Sequence, residues 1–354
     1  MGSVRRWGVY AILSTAAVGW GVSAWAQDKG DPKEAPTSEE DYPYEEAIKS
    51  PVVKPPKQPD GPVKLRYKVE APVRYLVRGK HRAGVRDREA MRQIYTSSSV
   101  VSYRPVAEGE ELPRAAWMAL EKARKADGAD ATKAASGSPR IMVEVEKAYG
   151  GFEQPALLKE TERTHQILRQ AKLSYVLEPN GKVSDVRVHE PTSPIGRSSF
   201  EQIRTLAQSI QPVFPERAVG IGDTWTQDVV YEDKRGTVVA NQNSKNTYTF
   251  TSWRPCRESL CAYITIKQDM RSAALSGGGD SRSEASSAGQ GEGWMLFDPF
   301  VGQVVKTYWK LNGQGKVRVR EKGETEDGKP VAQIEAEVVV EAEVTAERID
   351  GEVP

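Results

Sequence analysis

Cys256 and Cys261 are the only cysteines of this 354-residue chain, and they sit in the short run Trp253-Arg-Pro-Cys-Arg-Glu-Ser-Leu-Cys-Ala262. A thiol pair so placed suits a hairpin-clamping disulfide, a redox pair, or half of a metal site. In an oxidising compartment the disulfide is the expected state, and a loop this short contributes about 2 kcal/mol. The spacing is not C-x-x-C and no second ligand pair accompanies it, so neither a metal nor a cofactor is expected. His81, His165 and His189 are isolated, and His189 shares its predicted strand face with Asp185 and Arg187, the composition of a solvated face. No G-x-S-x-G, H-E-x-x-H or Walker pattern occurs, and Gly277-Gly278-Gly279 is not followed by Lys-Ser/Thr. No catalytic residue is assigned, and the expectation is a protein that is not an enzyme.

Aromatic side chains are the remaining candidates for chemistry. Trp225, Trp253, Trp294, Phe297 and Phe200 are candidate ligand-lining residues on a concave sheet face, with core packing as the alternative. Face assignment turns on register. If Cys256 opposes Cys261, Trp253 falls beside Ile264 but Phe250 beside Lys267, unless a bulge intervenes.

The elements that must position these residues are mostly strands. Val63, Leu65, Tyr67, Val69, Val73, Tyr75 and Val77 alternate with Lys64, Arg66, Lys68, Glu70, Arg74 and Arg78, which predicts one long strand from Val63. From Ala332 to Glu347 small apolar residues again alternate with polar ones, mostly Glu. Further strands are predicted at Ile141–Glu146, Leu173–Glu178, Val183–His189, Trp225–Tyr231, Thr237–Trp253, Leu260–Met270, Trp294–Asp298, Gln303–Lys310 and Lys316–Glu321. Pro179-Asn180-Gly181 marks a hairpin turn. Helices are predicted from Pro113 to Asp127, and after the capping box Ser198-Ser199-Phe200-Glu201 with the stripe Phe200, Ile203, Leu206 and Ile210. Residues 128–138 and 276–293 read as loops.

Composition bounds the rest. Hydrophobic residues make up 38 % and charged residues 28 %, and mean hydropathy is −0.57, figures that exclude a polytopic membrane protein. Lys+Arg 50 against Asp+Glu 49 excludes a strongly basic nucleic-acid binder. Charge is nevertheless uneven: residues 64–92 are strongly basic, and Glu321 to Glu352 is strongly acidic. The basic stripe either meets an anionic surface partner or is neutralised within the sheet by the Glu-rich strand. Arg5 and Arg6, the apolar run Trp7–Gly21 and Ala24-Trp25-Ala26 form an export signal with cleavage after Ala26, the alternative being an uncleaved anchor. Residues 27–62, with seven prolines from Pro32 to Pro59, read as a Pro-rich acidic linker.

Two stretches carry a resemblance. Val219-Gly-Ile-Gly-Asp-Thr-Trp225 and Gly291-Glu-Gly-Trp-Met-Leu-Phe-Asp298, followed by Gly302-Gln-Val-Val-Lys306, resemble a family of exported bacterial proteins of unknown function marked by a G-D-T-W motif. The resemblance implies a strongly curved antiparallel sheet with a helix on one face, similar to periplasmic lipoprotein-carrier proteins, and implies no catalytic residue. The chain lacks the lipobox cysteine often found on such proteins. Asn180 to Val188 before a helix and Phe214-Pro215 is also similar to TonB-type transducers, whose domain ends the chain.

The expected architecture is mainly β: a signal over 1–26, a linker over 27–62, and one domain over 63–350. That domain is a curved antiparallel meander or half-barrel, with a helix on its concave face and a helical insertion near 84–127. The expected function is a periplasmic or secreted, non-enzymatic protein that binds a lipid or amphipathic small molecule on the concave face. The alternative is a structural or partner-binding envelope module with a filled interior, and no nucleic acid is expected. Gly220, Gly222 and Asp223 are assigned to a structural turn that brings Trp225 under the helix.

Overall fold

The computed structural model describes residues 58–86, 88–112, 138–153, 166, 169, 172–189, 212–235, 238–257, 259–278, 281–321 and 333–350. The export signal, most of the linker, both predicted helices with Phe200, and nearly all of the loop 128–138 lie outside these residues.

Eleven antiparallel strands form one sheet. They are β1 (Val73–Val85), β2 (Arg88–Pro105), β3 (Arg140–Phe152), β4 (Lys172–Leu177) and β5 (Val183–His189), then β6 (Thr224–Arg235), β7 (Val238–Cys256), β8 (Ser259–Gly278), β9 (Ser281–Asp298), β10 (Gln303–Glu321) and β11 (Gln333–Ile349). The order across the sheet is β5-β4-β3-β2-β1-β11-β10-β9-β8-β7-β6, so two meanders join through β1 and β11. The sheet is not closed: its two edges are β5 and β6, which are neighbours in the chain.

Several expectations are corrected. Of the run 276–293, read as a loop from its Ser and Gly content, residues 276–278 belong to β8 and 281–293 to β9, because cross-strand pairing on both sides overrides weak strand propensity. The two short strands predicted over 303–321 are one continuous strand. Residues 88–105, inside the predicted helical insertion, form β2. The sheet begins at Val73, not Val63. Leu65, Tyr67 and Val69 are buried as their alternation requires, but their backbone runs as an extended strap across the sheet's end. It pairs with Val219, donates from the Tyr67 N–H to the Pro179 carbonyl at 2.6 Å, and from the Lys68 N–H to the Gly302 carbonyl at 2.9 Å.

Residues 212–219 span the same end from the other side. The Phe214 N–H donates to the Asn180 carbonyl of the β4–β5 turn, and the Tyr67 hydroxyl donates to the Pro212 carbonyl. Tyr67, Phe214 and Phe297 pack together there, with ring centroids 4.6–5.3 Å apart. Around them the inward residues of nearly every strand form a single hydrophobic core. Edge-to-face and offset pairs at these distances add to area burial.

The acidic last strand lies between two basic ones. Glu335, Glu337, Glu341, Glu343 and Glu347 project from the convex face of β11; Lys80 and Arg82 of β1 and Lys306, Lys310, Lys316 and Arg318 of β10 stand opposite them. Ion pairs join Arg82 to Glu341 (3.4 Å), Arg86 to Glu337 (2.8 Å), Lys306 to Glu347 (3.3 Å) and Arg318 to Glu335 (3.2 Å). The basic stripe therefore has cross-strand acidic partners within the sheet, the favourable arrangement for opposite charges.

Cys256 and Cys261 are joined, with Cα atoms 5.7 Å apart. The register differs from simple opposition: Cys256 faces Ser259 and Cys261 faces Arg254. A bulge between Phe250 and Ser252 then sets Trp253 beside Ala262 and Phe250 beside Ile264, both on the concave face. Alkylation of denatured, unreduced protein is expected to find no free thiol, since the described chain has no other cysteine; labelling at both cysteines would contradict the bond.

Candidate functional site

The G-D-T-W turn fixes how β6 enters the sheet. Gly222 has φ of 91°, a conformation that suits glycine, whereas Gly220 has no positive φ and needs no such freedom. The Asp223 carboxylate accepts the Gly220 N–H at 3.0 Å and pairs with Arg217 at 2.7 Å; together these hold its carboxyl below the usual range. The Gly222 N–H donates to the Phe250 carbonyl and the Phe250 N–H to that of Asp223. Trp225 then stacks on Tyr248 at 5.6 Å, meets Phe214 edge-on, and donates its indole N–H to the Val213 carbonyl at 3.2 Å.

The candidate lining residues do not share one face. Trp225, Trp253 and Phe297 point to the concave side, and Phe297 is fully buried in the aromatic floor. Trp294 lies on the convex side with Tyr263 and Tyr308, beside the disulfide, because it stands an odd number of positions, three, from Phe297 on one strand.

Above the floor runs a row of cross-strand partners at one level of the sheet. Gln227, Asn246, Gln268 and Gly291 follow one another from β6 to β9. Leu311, Ala342, His81, Tyr95 and Phe152 continue it through β10, β11, β1 and β2 to β3. The first part is polar and hydrogen-bonded. Gln268 donates to the Asn246 amide oxygen at 2.9 Å, Asn246 donates to the Tyr248 hydroxyl at 3.3 Å, and that hydroxyl donates to the Gln227 oxygen at 3.1 Å. Next to it, Gly291 and Gly293 leave room for the Trp309 indole, atoms of which would lie 3.1 Å from a β-carbon at either position.

Among the strand residues whose side chains are described, Arg348 is the only Asp, Glu, Lys or Arg on the concave face; cross-strand partners share a face, and it stands opposite Tyr75 at the end of the sheet, six positions along β11 from Ala342 of the row, and pairs with Asp350 at 3.7 Å. The polar groups that remain are neutral, and some are unmatched. The Gln268 Oε1, His81 Nδ1 and Tyr103 hydroxyl are buried and find no hydrogen-bond partner among the described residues. Burial lowers the His81 pKa to about 4, and raises that of Tyr95 to about 12. His81 is therefore neutral at pH 7. The unfolded chain takes up this proton near pH 6.5 and the folded chain only near 4, so stability falls as pH drops through that window. The full shift is equivalent to about 3 kcal/mol. Thermal melts from pH 7 to 4 are expected to fall more steeply for wild type than for His81→Phe; parallel curves would contradict the assignment.

His189 corrects an expectation too. It is 1 % exposed rather than solvated, and its Nε2 lies 2.8 Å from the hydroxyl of Ser174. Arg140 bonds the same hydroxyl at 3.2 Å and pairs with Asp185, whose φ of 44° bends β5 at a bulge and turns the carboxylate toward Arg140 and Arg187. This convex-side cluster ties β3, β4 and β5 together. The row Gln227, Asn246 and Gln268 is inconspicuous in the sequence, because amides on a predicted strand resemble any wet face. Glycine at every second position from Gly289 to Gly293 is the available signal, masked by the loop-like composition around it.

No protein-family model matches the chain, and no curated protein matches it. Among solved structures, the chain is weakly similar to the outer-membrane protein OmpT of Vibrio cholerae, at 8 % identity over 80 % of this chain and 100 % of that one, with a TM-score of 0.17. It is similarly weakly like Pseudomonas aeruginosa OpdK, solved with vanillate, at 7 % identity over 79 % of this chain and 99 % of that one, with a TM-score of 0.13. Likeness at this level carries no argument. Among the described residues no helix is long and apolar enough to cross a membrane.

Proposed function

We propose that this is an exported, non-enzymatic binding protein that holds an amphipathic small molecule in the concavity of its open half-barrel. The observation that supports the reading is a neutral polar row standing directly above an aromatic floor, on a face whose one described charged strand residue, Arg348, lies at the end of the sheet away from the row. A face that only packed against itself would gain nothing from buried amide groups with unmet hydrogen-bonding capacity, since each costs about 1–3 kcal/mol. The same groups suit a ligand with an apolar body and neutral polar atoms. The charged convex face, by contrast, is laced with internal ion pairs, and these leave less of its basic stripe for an anionic surface.

The test is titration of the mature protein with prodan, a neutral naphthalene dye that has no N–H or O–H. Saturable, blue-shifted fluorescence displaced by 1-dodecanol is expected. Fluorescence that rises linearly without saturation would favour the structural module with a filled interior.

A further inference from the structure

We infer that Gln268 is a specificity residue that selects ligands carrying a neutral hydrogen-bond donor, a hydroxyl or an amide N–H, at the level of the polar row. The inference rests on the ligand-binding reading above and adds a chemical class to it. It follows from the direction of one hydrogen-bond chain. The Val213 backbone N–H, which can only donate, reaches the side-chain oxygen of Gln227 at 3.2 Å. That contact fixes which end of the Gln227 amide faces Tyr248, so the Tyr248 hydroxyl must donate to it. With its proton committed, the hydroxyl accepts from the Asn246 NH₂ group, and the Asn246 oxygen in turn accepts from the Gln268 NH₂ group. Every donor points toward β6. The acceptor left over at the far end is the Gln268 Oε1, buried on the concave face and without a partner among the described residues.

Its surroundings decide what suits it. The cross-strand neighbour on β9 is Gly291, and the Trp309 indole and Leu311 pack over it, 3.1–3.2 Å from where a β-carbon would stand. No described side chain of the row carries a charge, and Arg348, the one described charged strand residue on this face, stands six positions along β11 from the row's Ala342, so an anionic group here would lack a counter-ion and would meet an acceptor. A carboxylate is doubly disfavoured: it loses its hydration and faces the lone pairs of Gln268. An ether or ester oxygen offers no donor and leaves the acceptor unmet. A hydroxyl or amide N–H satisfies it, and sites built around such a group discriminate strongly against analogues that lack it.

The test compares 1-dodecanol, its methyl ether and dodecanoate at pH 8 as displacers of bound prodan. Wild type is expected to prefer the alcohol over the ether by about tenfold, the equivalent of one neutral hydrogen bond, and dodecanoate should be the weakest. Gln268→Leu should lose the preference, giving an alcohol-to-ether ratio near one whatever its affinity for prodan. If wild type binds prodan but takes alcohol and ether equally, the inference falls while the binding function stands. Retention of the preference in Gln268→Leu would also overturn it. If prodan does not bind saturably, both readings fall. Should Gln268→Leu melt well below wild type, Gln268→Met, which keeps the length of the side chain and removes the amide oxygen, decides the same question: the alcohol preference should be lost, and its retention would overturn the inference.

Discussion

Replacement of Phe297 by Ala is expected to destabilise the protein by about 3–5 kcal/mol, the range for large aromatic deletions in a close-packed core. Phe297 is completely buried, lies 4.6 Å from Phe214 and 5.3 Å from Tyr67, and so touches both segments that cross the end of the sheet. Its removal loosens the strap from Leu65 to Val69 and residues 212–219 together. Chemical denaturation should show the loss at the midpoint with an unchanged slope. Trp225→Ala should cost less, because Trp225 is partly exposed and its main partners are Tyr248 and Phe214. Equal losses would mean that the floor does not centre on Phe297.

Gly302→Ala is expected to be nearly as damaging, at about 2–5 kcal/mol, from backbone strain and overpacking combined. Gly302 has φ of 74°, and a β-carbon there would fall 2.6 Å from the Lys68 backbone nitrogen and 2.8 Å from the Arg66 carbonyl oxygen. Neither is a flexible side-chain end, so the strap itself must move and the bond between the Gly302 carbonyl and Lys68 N–H is lost. Gly222→Ala is the internal control. It shares a positive φ, but nothing lies within 4 Å of the added carbon, so only the conformational cost of about 1–2 kcal/mol applies. Calorimetric melts of the two variants side by side would separate steric from conformational effects; equal shifts would refute the clash at Lys68.

The sequence is most legible where burial alternates with charge. β11 announces itself by Glu at alternate positions, and the same pattern shows why the basic flanks belong beside it. The β4–β5 turn is legible from Asn180-Gly181: the Asn180 side chain accepts the Lys182 N–H, and Gly181 has φ of 95°. β8 is illegible beyond Met270 and β9 before Trp294. Their outer reaches are Ser, Ala and Gly, whose strand state comes from neighbours on either side and not from their own preferences. Leu65, Tyr67 and Val69 show the opposite failure: alternation reports which residues are buried, and a strap over a core satisfies it as well as a ladder does. The face of Trp294 can be assigned by parity against Phe297. The direction of the Gln227–Gln268 chain cannot, because it depends on the backbone N–H of Val213, distant in sequence from Asn246 and Gln268.

The pairing of β1 with β11 has a consequence for how the chain acquires its fold. Val77 meets Ala346, so joining the two meanders closes a loop of about 270 residues, an entropic cost of roughly 5 kcal/mol that no early local contact repays. The β6–β11 hairpins have only near neighbours to find, but the strand that unites them with β1–β5 is the last to be made on a ribosome and the last to emerge through any export channel. Until then both halves present an unpaired edge. Slow folding with a late docking step is the expected kinetic behaviour. A circular permutant that fuses the native ends and opens the chain between β5 and β6 would turn every pairing into one between sequence neighbours, and would fold faster than the natural chain while keeping its sheet.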